Sequence, residues 1–280
     1  MPVANFIATY NNIEESHIGY CGKEIEEIVH SLRHDYIDVP FEDSFIIAFN
    51  DEGEMLGVVG FDVDLESKTA EIWGPFIHSS YEHILNEVWE KLMNNLPAEV
   101  NVIHLFPNMK NTIVINLANQ LSFEKKSSQT ILCCNKDNFV KSSDRAKFEL
   151  NLEDITGFIA LHDQIFPNTY YSGRDIIDRL SEVNKIFISK DSELKGYVYV
   201  EAQPEFGEAS IEFIAVAKAF QGQGIGLQLL EDALEWLFEF STIEVISLCV
   251  DSNNPGAIAL YKKAGFTQQH QLEFYSKQID

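Results

Sequence analysis

The stretch that decides the fold is IEFIAVAKAFQGQGIGLQLLEDAL, residues 211–234. Its opening belongs to EASIEFIAVA (208–217), whose β-branched and aromatic content predicts a strand. Its close begins IGLQLLEDALEWLFEFS (225–241), where apolar residues recur at i, i+3, i+4 and i+7, the spacing of an amphipathic helix. Between them, QGQGIG (221–226) alternates three glycines with Gln221, Gln223 and Ile225. A glycine loop that opens a helix is a ready anion site, because the first-turn N–H groups lack partners and the helix dipole favours negative charge. Three families share that arrangement. A P-loop requires Gly-Lys-Ser/Thr, and here Leu227 follows Gly226. A dinucleotide fingerprint requires GxGxxG directly after the strand, whereas the third glycine comes one residue early and Ala217 to Phe220 intervene. Glu244 does stand at a suitable sequence distance for a ribose contact. Taken alone, the loop also reads as surface without a ligand.

The flanking sequence narrows the choice. KFELNLED (147–154) reads as a strand, and ITGFIALHDQIF (155–166) and SGRDIIDRLSEV (172–183) read as helices, the second capped by Ser172. KIFISKDSELKGYVYVEA (185–202) is strand-like, and QPEFGE (203–208) supplies a turn into the next strand. EVISLCV (244–250) is a continuous apolar run, the mark of a buried strand. NNPGAIALYKKAG (253–265) reads as a helix with Asn-Pro at its start and Gly at its end. FTQQHQLEFYSKQ closes with one or two strand segments. The order β-α-α-β-β-β-α-β-α-β predicts a mixed sheet with helices on both faces.

The first half of the chain echoes the second. NVIHLFPNMKNTIVINLANQLSF (101–123) lies over VISLCVDSNNPGAIALYKKAGF at a constant offset of 143, pairing Val102 with Val245, Asn111 with Asn254 and Phe123 with Phe266. Upstream, TAEIWGPFI (69–77) lies over SIEFIAV at an offset of 141, with Glu71 on Glu212. Two domain-sized copies indicate a tandem duplication rather than a solenoid. The polar stretch NKDNFVKSSDRAK (135–147) places the boundary, giving domains over 1–138 and 147–280 with a linker at 139–146.

Composition sets the outer limits. The 280 residues are 45% apolar, enough for two packed cores, and carry a net charge of −24. That acidity argues against nucleic acid and anionic membranes and suits a cationic partner such as an amine. Cys21, Cys133, Cys134 and Cys249 form no CxxC pair; the last three sit in apolar runs as small buried hydrophobes. The eight histidines show no metal-ligand spacing, so no metal is expected. MPVANFIATYNNIEE lacks the features of a signal peptide, and no apolar run approaches a membrane span. A cytoplasmic protein, monomeric or homodimeric, is the expectation.

The stretch 211–234 resembles the acetyl-CoA motif of the GNAT N-acetyltransferase superfamily, whose loop reads Gln/Arg-x-x-Gly-x-Gly/Ala. Gln221, Gly224 and Gly226 stand at those positions. VDSNNPGAIALYKKAGF resembles the next motif of the family through Asn254, Ala257, Tyr261, Gly265 and Phe266. The resemblance covers 145–280 and, more weakly, the first half. It implies an α/β (mixed α+β) fold of two tandem GNAT-like domains, each a mixed, mostly antiparallel sheet flanked by helices on both faces. It also implies acetyl-CoA as acyl donor and an amine of a small molecule or peptide as acceptor. The pyrophosphate would rest on the N–H groups of Gln221, Gly222, Gln223, Gly224, Ile225 and Gly226. Backbone near Ile214 to Val216 would pair with the pantetheine arm and polarise the thioester carbonyl, a contact worth roughly 3 kcal/mol in comparable sites. Asn254 and Ala257 would lie along the same arm, and Tyr261 would protonate the departing thiolate. Glu212, a charge in an otherwise apolar strand, is the candidate base, with Ser210 and Glu201 behind it. The first half has Ala118 where Tyr261 stands, Ser122 where Gly265 stands, and the glycine-free loop HSSYEH (78–83), about two residues shorter. It therefore reads as a degenerate copy. The rival reading is a non-catalytic acyl-CoA-binding or regulatory module, which would hold the cofactor without releasing free thiol.

Overall fold

The computed structural model describes residues 1–36, 38–139, 147–167 and 169–279. The chain divides into two compact units, Met1–Gln129 with His270–Asp280, and Thr130–Gln269. These limits differ from 1–138 and 147–280 at both ends, and most of the 139–146 linker lies outside the described residues.

The first unit opens with α1 (Pro2–Asn11), where Pro2 takes the first helical position and needs no N–H partner. Val3, Ala4, Ile7, Ala8 and Asn11 form its buried stripe. The next helix, α2 (Ile25–His34), is fixed at its start by a capping box between Glu24 and Glu27, and buries Ile28 and Leu32 one turn apart. A single turn, α3 (Phe41–Ser44), leads into β1 (Phe45–Phe49), β2 (Met55–Asp64) and β3 (Thr69–Ile77). Then come α4 (Leu85–Asn95), β4 (Val102–Leu105), α5 (Thr112–Gln120) and β5 (Glu124–Asn135). Strands β1 to β3 are antiparallel neighbours, and β3 runs parallel to β4 over three residue pairs. Helix α1 packs on β2 and β3, and α4 on β1 and β2.

The second unit continues with α6 (Ile155–Ile165), α7 (Gly173–Arg179), β6 (Asn184–Lys190), β7 (Leu194–Gln203) and β8 (Glu208–Val216). It ends with α8 (Ile225–Leu237), β9 (Val245–Asp251), α9 (Pro255–Lys263) and β10 (Thr267–Gln278). Strands β6, β7 and β8 are antiparallel, and β9 joins β8 in parallel. Side chains alternate between two cores. Val198, Val200 and Ile211 pack with Leu229, Leu230, Ala233 and Leu234 of α8, whereas Tyr197, Tyr199 and Phe213 pack with Phe158 of α6 and Ile176 of α7. Helices therefore cover both faces, as the order of elements predicts. The divisions at 129/130 and 269/270 fall inside β5 and β10, so each of these strands passes from one unit to the other. Residues 275–278 of β10 pair antiparallel with β4 and belong to the first unit.

Three sequence expectations need correction. KFELNLED forms no strand; its backbone meets β6 at a single bridge, Glu149 to Phe187, and Lys185 and Lys190 of β6 pair with its carboxylates. Cys249 is exposed because β9 is two-sided: Ile246, Leu248 and Val250 turn inward and Cys249 turns out; Cys133, on β5, is half-buried. Third, the upstream repeat offset is 139, not 141. The β2–β3 hairpin pairs Gly57 with Ile77 and Asp64 with Thr69, and the β7–β8 hairpin pairs Gly196 with Val216 and Gln203 with Glu208. Glu71 is thus the counterpart of Ser210, and Trp73 that of Glu212. Residue identity at one charged position had outweighed strand register. Among the described residues, no helix is long and apolar enough to cross a membrane.

Candidate active site

The site is built on a parting of two strands. β8 pairs with β9 only from Glu208 to Ser210, opposite Val245 to Ser247, after which both strands continue without pairing to each other. Beyond the parting, Ala217 N–H donates to Lys195 O on the β7 side. Alternation along the strand then turns the backbone N–H groups of Ile214 and Val216 away from β7, into the gap.

The glycine loop sits at the end of β8. Gly222 and Gly224 hold φ of +75° and +82°, and a Cβ at either would meet no atom within 4 Å. Their conformation disfavours any side chain, and the space above them is open. Gly224 is the N-cap of α8 and provides no side-chain cap, so the helix's first N–H groups face outward without a capping partner. Gly226, one residue into the helix, lets α8 approach Leu260 of α9, whose Cδ2 would stand 3.1 Å from an added Cβ. Ile225 is buried beneath the loop. The two glutamines turn back on the backbone: Gln221 Nε2 donates to Val216 O at 3.0 Å and Gln223 Nε2 to Ala219 O at 3.4 Å. They brace the loop and leave anion contact to the N–H groups.

Helix α9 faces the same core. Asn254 is its N-cap, its side chain accepting from Ala257 N–H at 3.0 Å. Ala257 packs against the core that contains α8. Tyr261 is buried against Phe266, and burial, followed by the nearby Cys249, pushes its phenol up to about 12. It holds its proton throughout the neutral range.

Glu212 lies on the opposite side of β8. A bulge falls where Tyr199 faces Phe213 but Val200 faces Ile211, leaving Glu212 unpaired in the ladder. Bulges re-aim side chains, and here Ser210, Glu212 and Phe213 all reach the face covered by α6 and α7. The Glu212 carboxylate accepts from Tyr170 Oη at 2.6 Å and from Ser210 Oγ at 2.5 Å. Beside it, Tyr199 Oη donates to Glu201 at 2.6 Å, and burial raises the Glu201 carboxyl above its ordinary value. Arg179 stacks 3.9 Å over the Tyr171 ring. His162, fully buried, donates Nε2–H to Tyr171 O and accepts from Tyr197 Oη at Nδ1. It anchors the segment that carries Tyr170.

Sequence reasoning missed Tyr170, Tyr171, Tyr199, Arg179 and His162. They come from α6, the loop after it, α7 and β7, and their one local signal is the Tyr170-Tyr171 pair just before the Ser172 capping box. The residues named from the motifs do gather on α8, α9 and the free end of β8; Glu212 stands on the other face.

The first unit repeats the frame without the cradle. β3 and β4 also part after three pairs, and Asn111 caps α5 as Asn254 caps α9, accepting from Val114 N–H at 3.1 Å. Ser79–Ile84 forms a short 3-10 turn, and His78 Nδ1 accepts from Ser80 N–H. A cavity of about 240 Å³ beside it is lined by Glu82, His83, Asn86, Ile113 and Asn116, and the carboxylate there opposes an anion. This unit's loop is one residue shorter by the helix starts, Leu85 against Ile225, and its helix is two residues shorter.

Residues 152–266 match the Acetyltransferase (GNAT) family, whose enzymes use acetyl-CoA. That stretch is a GNAT-type N-acetyltransferase domain. The chain is 27% identical over 136 residues to an N-alpha-acetyltransferase of Sulfolobus acidocaldarius, covering 44% of this chain and 80% of that protein. Its fold is similar over 99% of its length to a GCN5-related N-acetyltransferase from Sphaerobacter thermophilus, with a TM-score of 0.74, 15% identity and 91% of that chain covered. A tandem GNAT protein from the clavulanic acid biosynthesis pathway matches over 99% of this chain and 93% of its own, with a TM-score of 0.62 and 13% identity. The tandem arrangement therefore extends along the whole chain.

Proposed function

We propose that the second unit transfers the acetyl group of acetyl-CoA to a primary amine of a small molecule or peptide by direct attack, and that the first unit is a degenerate copy without an acyl-donor site. The observation that carries this reading is the uncapped start of α8 behind Gly222 and Gly224, set at the end of a strand whose outward N–H groups line a gap. Backbone N–H groups of residues 221–226 receive the pyrophosphate, while Ile214 and Val216 pair with the amide-bearing arm as a neighbouring strand would. Asn254 and Ala257 border that arm on α9.

The amine nitrogen attacks the thioester carbonyl, forming C–N as C–S breaks. A proton leaves the amine and another reaches the sulfur, so two groups are required. Glu212 receives the first, directly or through water, with Tyr170 and Ser210 fixing its two oxygens. Tyr261 serves the second. With its pKa pushed up to about 12 it stays protonated in the neutral range, so it meets the developing thiolate as a hydrogen-bond donor and yields its proton late, as charge accumulates on sulfur. Glu201, Glu212 and the surrounding tyrosines favour a cationic acceptor, in keeping with the net charge of −24.

Calorimetry of the full chain with acetyl-CoA is expected to show micromolar binding, and a thiol-release screen over polyamines, amino acids, aminoglycosides and peptide N-termini to yield an acceptor. No acetyl-CoA binding would sink the proposal. Binding without thiol release from any amine would leave a cofactor-binding module in its place.

A further inference from the structure

The first unit keeps something of the amine side of this arrangement although its loop has no glycines. Asp62 of β2 and Glu71 of β3 are cross-strand partners, so their side chains leave the sheet on one face with Cβ atoms about 5 Å apart. Asp62 is the counterpart of Glu201, and Glu71 that of Ser210. Among the described residues, no side chain donates a hydrogen bond to either carboxylate.

Tyr36, just beyond α2, closes the base of this pair. It is 8% exposed, and its hydroxyl is buried without a hydrogen-bond partner among the described residues. The charge it feels most strongly is that of Asp62, followed by the Cys21 and Glu71 groups. Its ring meets Trp73 edge-on at 5.6 Å and Phe45 at 5.6 Å. A buried hydroxyl with nothing to bond is costly and rare. Tyr36 is buried beneath the pair, Asp62 is half-buried and Glu71 reaches the surface, so the pair is approached from the Glu71 side.

Two carboxylates, an unsatisfied hydroxyl and aromatic rings are the components of a site for an ammonium group, whose N–H bonds go to oxygen and whose charge is drawn to ring faces. Among the described residues, no three His, Cys, Asp or Glu side chains converge as a metal site would require. Asp62 and Glu71 are held above their ordinary values, to about 6 and about 7, chiefly by burial, with neighbouring carboxylates adding to it. A cation would relieve both effects.

We infer that the first unit binds a small organic ammonium at this pair, with Asp62 and Glu71 as counter-charges and the buried, unpartnered Tyr36 hydroxyl oxygen as an acceptor once the ligand enters. This site is independent of acetyl transfer in the second unit. Titration calorimetry of the full chain with spermidine, without acyl donor, tests it. Asp62→Asn with Glu71→Gln is expected to weaken one binding event by 10-fold or more, and Tyr36→Phe by about 3-fold. Glu212→Gln should leave that event unchanged. The double substitution removes charge without changing shape, and a thermal melt checks folding of each variant. The inference is overturned if the double variant binds spermidine like the parent, if no amine binds while acetyl-CoA still does, or if magnesium or calcium occupies Asp62 and Glu71 in preference to amine.

Discussion

Two loops leave equivalent strand ends, one after Ile77 and one after Val216, and the chain treats them in opposite ways. After Val216 the backbone turns through Gly222 and Gly224 in the left-handed region and delivers α8 with its first N–H groups uncapped. After Ile77 it coils into a 3-10 turn, and His78 satisfies an N–H that the other loop leaves open. The strand partings and helix caps are alike in both units. On the proposed reading, loss of an anion site therefore requires no change of fold; it takes one side-chain acceptor and the absence of glycine.

The strongest challenge to that contrast is Tyr261→Phe, since Ala118 stands at the matching position. Loss of a positioned acid is expected to lower kcat about 100-fold or more with little change in acetyl-CoA affinity. An unchanged rate in steady-state kinetics would remove Tyr261 from the reaction. Next, Gly224→Trp is expected to weaken acetyl-CoA binding by about 100-fold, combining a disfavoured φ with a filled cradle, whereas Ser80→Trp in the first unit should change it less than 2-fold. Comparable losses from both would show that the two loops share the task.

A third effect separates the carboxylates. Asp62 sits near Asp35, Asp38 and Asp64, and Glu71 faces Asp62. Their folded values lie above the ordinary 3.8 and 4.5, so the stability they allow is complete below those values and declines as pH rises towards about 6 and 7. Asp62→Asn should accordingly raise Tm at pH 8 and leave it unchanged at pH 4; a uniform shift would mean that the charge is not responsible. The smallest effect concerns Ser122 and Gly265, which end equivalent helices with φ of +61° and +99°. Ser122→Gly should stabilise the chain by about 1 kcal/mol and Gly265→Ala should destabilise it by a similar amount in denaturant melts.

Much of this was legible from local spacing. The strand, glycine loop and helix over 208–237 and the Asn254 cap follow from periodicity and capping chemistry, which act within a few residues. The acceptor face was not. Tyr170, Tyr199 and Glu212 meet because a bulge turns Glu212 onto the face of Phe213, and no pattern in EASIEFIAVA announces a bulge. The Glu71 misalignment has a related origin: two glutamates in similar contexts attract an alignment, but hairpin register is set by pairing along the entire strand. KFELNLED has the composition of a strand yet makes a single bridge, because composition cannot say whether a sheet edge will accept it.

The strand at the end of the chain bears on how the protein comes to be folded. Residues 275–278 supply the antiparallel neighbour of β4, so the first unit remains an unfinished sheet, with β4 lacking that partner, until a segment that follows the whole second unit has been made. The older copy in sequence order must wait for the younger. Removing residues 270–280 would thus harm the copy farthest from them in sequence.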